Sequence, residues 1–159
     1  MVNYELVARQ LSALVEGVPH EVANLANSSA LLWQEMPRLN WVGFYKMENG
    51  KLVLGPFQGK PACIEIPVGR GVCGTAVAED KVQLVYDVHQ FPGHIACDSA
   101  SNSEIVLPIH VNGDIWGVLD IHQRLFYYLK TVVFHILYKF IFLPLMVSSK
   151  SYSFHQPNS

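Results

Sequence analysis

The sequence predicts an α+β fold, an antiparallel sheet with helices packed on one face. Three observations predict it. Residues 3–18 and 20–36 carry apolar side chains at helical spacing. From Asn40 the period shortens to that of a strand. Asn49-Gly50 and Asn112-Gly113-Asp114 then supply turn signals between apolar runs, the mark of hairpins.

The elements follow in order. Val7, Leu11, Leu14, Val15 and Val18 form the inner face of the first helix, opposite Glu5, Arg9, Gln10 and Glu16. Val22, Leu25, Ala26, Ser29, Leu32, Trp33 and Met36 form that of the second, which Pro37 closes. Trp41–Tyr45 is an aromatic-rich strand, and Leu52–Leu54 is its hairpin partner, broken by Gly55-Pro56-Phe57-Gln58-Gly59. Ile64–Pro67 is a short third strand. Gly69-Arg70-Gly71 leads into a helix over about Val72 to Glu79, and Gln83–Tyr86 is strand-like. Asp87 to Asn102 is a long irregular loop, a length often found in lids and binding loops. Glu104–Val111 and Ile115–Ile121 form the last hairpin.

Length and composition narrow the function. The 159 residues fit one domain, and 50% hydrophobic with 15% charged side chains excludes a disordered chain. A net charge of −2 lacks the basic bias of a nucleic-acid binder. Yet all 13 acidic residues precede residue 121. The first 120 positions net −6, whereas the last 39 carry four basic residues, no acid and half of the 18 aromatics. The chain is compositionally two pieces, 1–121 and 122–159.

Three cysteines follow an N-terminus without the basic and apolar regions of a signal peptide, so a cytoplasmic location and reduced thiols are expected. Buried inert thiols are one reading of Cys63, Cys73 and Cys97. Zinc is a weaker one, because spacings of 10 and 24 residues lack a C-x-x-C knuckle. Redox chemistry is the third. Cys97 lies on the long loop between His94 and Asp98, which pull its acidity in opposite directions. Cys73 opens a helix, where the dipole favours a thiolate. Cys63 has Lys60 nearby. Asp120, in an apolar strand, reads as a solvated polar face or a functional acid; Glu104 opens another strand. Trp41 and Tyr45 share a strand face, as core packing or as a pocket wall.

From Leu6 to Asp120 the chain resembles the free methionine-(R)-sulfoxide reductases, single-domain GAF proteins. The residues that carry this are Asn40–Tyr45, Leu54–Cys63, Gly69–Gly74, Phe91–Asp98, Ser103–Pro108 and Gly117–Ile121. All three cysteines fall at the family's spacing. The resemblance implies a GAF-like catalytic domain over 1–121 that reduces free L-methionine-(R)-sulfoxide without a metal or cofactor. It implies Cys97 as the attacking thiolate, with a sulfenic acid then captured by Cys63, or by Cys73 as a second resolving thiol. Thioredoxin would reduce the resulting intramolecular disulfide, a chemistry of oxidative-stress defence. Glu104 and Asp120 would bind the substrate ammonium, with Trp41 and Tyr45 as the pocket wall. The family context leaves open a homodimer. The alternative is a noncatalytic GAF module that binds a small ligand, or an inactive isoform.

The departure from the family is abrupt. Asp120-Ile121-His122 carries His122 where the family pattern has a second aspartate, and nothing after it follows the family. Such a break fits a frameshift or an alternative last exon. Leu125–Val147 is long enough to span a bilayer. Lys130 and Lys139 inside it, at roughly 2.5–3.5 kcal/mol each near a membrane centre, argue against an anchor.

Overall fold

The structure, a computed structural model, describes residues 2–91 and 102–123. Cys97 and residues 124–159 lie outside them, so the expectations for the attacking cysteine and for the tail fall beyond the described residues. Two helices come first, α1 (Tyr4–Val15) and α2 (Glu21–Glu35). Strands β1 (Leu39–Glu48), β2 (Lys51–Gly59) and β3 (Glu65–Pro67) follow, then helix α3 (Gly71–Glu79) and strand β4 (Gln83–Val85). The last hairpin is β5 (Ser103–Val111) and β6 (Asp114–Gln123). The strands form one antiparallel sheet in the order β3-β2-β1-β6-β5-β4. Among the described residues no helix is long and apolar enough to cross a membrane.

Local chemistry sets these boundaries. Asn3 caps α1 by accepting the Leu6 N–H at 3.0 Å. Both hairpins turn on an Asn-Gly pair with positive φ: 51° and 80° at Asn49-Gly50, 54° and 91° at Asn112-Gly113. One expectation is corrected here. Gly55-Pro56 does not break β2, which runs on to Gly59. The pairing with β1 slips by one residue between Gly43 and Tyr45, so a bulge absorbs Gly55 and Pro56. Proline's missing N–H costs nothing at a bulge. The Pro56 carbonyl also accepts the Ser29 hydroxyl at 3.1 Å.

The sheet separates two cores. On one face, α1 and α2 pack as expected, with Leu11, Leu25 and Leu32 against Phe44, Leu107 and Leu119. Burying each such side chain is worth about 1.5–3 kcal/mol. The opposite face is covered by α3, where Val72, Cys73 and Ala76 meet Trp41, Tyr45, Val106 and Val118. From Trp41 to Tyr45, strand alternation sends even positions of β1 to the first core and odd ones to the second. The chemistry-bearing side chains lie on the α3 side.

Candidate active site

Three central strands and α3 build one buried cluster. Across the β5–β6 pair, Glu104 faces His122 and Val106 faces Asp120. Across β1–β6, Asp120 faces Gly43 and His122 faces Trp41. Gly43 contributes no side chain, and a Cβ there would collide with Phe57 and the Trp41 ring. The backbone therefore leaves room beside Asp120 that the aromatics cover. Trp41 stacks on Tyr45 at 5.9 Å and on Phe57 at 5.3 Å between ring centroids, and tilts over His122 at 5.6 Å. Its Nε1–H donates to the Lys60 carbonyl at 3.1 Å, and the Tyr45 hydroxyl donates to the Cys63 carbonyl at 3.0 Å. These two bonds tie the segment after β2 to the aromatic wall.

The sequence leaves Asp120 open between a solvated face and a functional acid; it is buried, with 4% of its surface exposed. Glu104 is equally buried, and Cys73 is 3% exposed. The Cys73 Sγ lies 4.0 Å from Glu104 Oε1. His122 Nε2 lies 2.9 Å from Asp120 Oδ2 and 3.8 Å from Glu104 Oε1. Burial first, and then the negative charge of Asp120, push the Glu104 carboxyl up to about 8, with the His122 charge working against them. Burial pushes the Cys73 thiol up as well, reinforced by Asp120 and Glu104. That overrides the helix-start argument for a Cys73 thiolate, because desolvation and two carboxylates outweigh the dipole of a short helix. Cys73 is a free thiol, whereas Cys63 is disulfide-bonded.

Of the seven residues proposed from sequence, Trp41, Tyr45, Cys73, Glu104 and Asp120 thus converge. Cys63 adjoins them through its carbonyl, and Cys97 lies outside the described residues. Phe57 is an addition. The supposed strand break at Gly55 hid it, although its alternation with Gln58 was a legible strand signal.

A family model for the GAF domain matches residues 10–133. The chain is 61% identical over 121 residues to protein YtsP of Bacillus subtilis, covering 75% of this chain and 74% of that protein. It is 58% identical over 123 residues to free methionine-R-sulfoxide reductase of Escherichia coli, covering 77% and 74%. This chain belongs to the GAF-domain free methionine-R-sulfoxide reductase family. A solved reductase of that family from Staphylococcus aureus, in complex with its substrate, superposes with a TM-score of 0.86 at 47% identity, over 93% of this chain and 96% of that one. The family is one of oxidoreductases, and its GAF scaffold accounts for the six-stranded sheet and the position of α3.

Proposed function

We propose that this chain reduces free methionine-(R)-sulfoxide to methionine with its own thiols. The observation that carries the reading is the buried Glu104–Asp120 pair beneath the Trp41–Tyr45–Phe57 wall, next to the Cys63 segment. An enclosed Asp120 carboxylate with the Glu104 carboxyl beside it suits an ammonium, and an aromatic face suits an S-methyl group. A substrate inside a polypeptide has no ammonium to offer, which accounts for selectivity toward the free amino acid.

In the proposed sequence, the Cys97 thiolate attacks the sulfoxide sulfur. A carboxyl held up to about 8, as Glu104 is, keeps a proton at neutral pH and donates it to the sulfoxide oxygen. Methionine leaves and Cys97 becomes a sulfenic acid. The Cys63 thiol attacks that sulfenic sulfur and expels water, forming the Cys63–Cys97 disulfide. The net change is two thiols and one sulfoxide to one disulfide, methionine and water. The disulfide-bonded state of Cys63 supports its assignment as the main resolving thiol. Cys73, deeply buried and held as a thiol, fits a secondary role. A thioredoxin-type dithiol returns both cysteines to the thiol state by exchange. Residues 1–121 would be the catalytic domain of a cytoplasmic enzyme needing no cofactor, and 122–159 a divergent tail; a homodimer suits the scaffold.

The test is dithiol-dependent loss of the R epimer of free methionine sulfoxide, with the S epimer as control. Cys97→Ser should abolish it; an unchanged rate would refute the mechanism. The His122–Asp120 contact favours a second reading, a noncatalytic module whose ammonium site is filled internally. Ligand binding without turnover would select it.

A further inference from the structure

The buried cluster sets a thiol and an imidazole against the carboxyl pair, a combination of donors that can also hold a metal ion. We propose that Cys73, Glu104, Asp120 and His122 bind one divalent cation of the zinc class and that this cation competes with substrate for the cavity. The Cys73 sulfur and one oxygen each from Glu104 and Asp120 lie within 4.8 Å of one another. His122 Nε2 lies 2.9 Å from Asp120 Oδ2 and 3.8 Å from Glu104 Oε1 but outside that 4.8 Å group, so the imidazole completes the set only by moving toward Cys73. A tetrahedral zinc with bonds of about 2.0–2.3 Å places its donors about 3.3–3.8 Å apart. The Cys73–Glu104 separation of 4.0 Å needs to close by only a few tenths of an ångström.

Donor chemistry selects the metal. A thiol, an imidazole and two carboxylates suit zinc, whereas magnesium and calcium favour sets made of oxygen alone. A second observation points to a ligand independently. Asp120 Oδ1 is buried without a hydrogen-bond partner among the described residues. Buried acceptors are rarely left so, and a coordinating cation satisfies one. Cysteine spacing does not disclose such a site, because only one of its four donors is a cysteine and the strands bring in the other three.

The test uses the full chain with cobalt(II) alone as probe, without reductant or substrate. One equivalent should bind with the absorption of a tetrahedral site and a sulfur-to-cobalt charge-transfer band, and zinc should displace it. A Cys63→Ser/Cys97→Ser double variant should keep the band, Cys73→Ser should lose it, and His122→Ala should weaken binding at least tenfold. X-ray absorption of the zinc-loaded wild type should find one sulfur among nitrogen and oxygen neighbours, a result that needs no variant to fold. Absence of the band, its survival in Cys73→Ser, or two sulfurs would overturn the site. Competition alone rests on the reductase reading, and there zinc at ten times its Kd should raise KM for free methionine-(R)-sulfoxide about tenfold with kcat unchanged. Cobalt binding without any turnover would refute the reductase and leave the site; turnover unaffected by bound zinc would refute the competition.

Discussion

His122 Nε2 sits 2.9 Å from Asp120 Oδ2, two residues back on the same face of β6, and both side chains are buried. The imidazole thereby occupies one side of the carboxylate pair assigned to the substrate ammonium. His122→Asp removes this internal partner and adds a third acid to the cluster. KM for free methionine-(R)-sulfoxide should fall several-fold in steady-state assays. The substrate-free protein should lose about 1–3 kcal/mol in urea unfolding, the cost of unpaired buried polar groups. An unchanged KM would mean that His122 does not restrict the site.

Glu104 makes stability depend on pH. Its carboxyl is raised from 4.5 to about 8 on folding. Below pH 4.5 it is protonated in both states and folding is not penalised. Between 4.5 and 8 the unfolded chain has released a proton that the folded chain retains, so stability falls as pH rises, and the loss is complete above 8. Urea midpoints measured from pH 5 to 8.5 should decline for the wild type and decline less for Glu104→Gln.

Tyr45→Phe deletes only the hydroxyl that holds the Cys63 carbonyl at 3.0 Å. Burial first, then Asp120, Cys73 and Glu104, keep that hydroxyl protonated well beyond neutral pH, so it acts as a donor. The variant should lose about 1 kcal/mol in stability. With Cys63 less well anchored, kcat with a dithiol should drop several-fold while KM stays near its original value.

Gly117→Ala tests the sheet that carries the site. Any Cβ there runs into the Tyr45 backbone carbonyl and lies 2.9 Å from the Lys46 Cα. Because backbone, not a flexible side chain, must move, β1 and β6 would part next to Tyr45. A loss of at least about 1–3 kcal/mol is expected, read as a lower melting temperature. Wild-type stability would show that the strand pair yields without cost.

Much of the fold was legible because it rests on local patterns. Apolar spacing marked α1 and α2, and the Asn-Gly pairs marked both hairpins, since those turns need positive φ at both positions. Gly55-Pro56 is locally a strand breaker, so the sequence predicts a β2 that stops at Leu54, short of Gly59. Only the pairing with β1 converts that dipeptide into a bulge.

The site divides in the same way. The sequence by itself determined the residue types and their strand parity: Trp41 with Tyr45, Glu104, and Asp120 with His122. It also carried the order of six segments that resembles the reductase family. Tertiary structure alone decided that Asp120 is buried, not solvated, that Cys73 is an un-ionised thiol despite its place at a helix start, and that His122 meets both carboxylates. Side-chain alternation is a property of one strand. Desolvation and charge proximity belong to the packed sheet and to α3 laid across it, and they outweigh the local helix dipole.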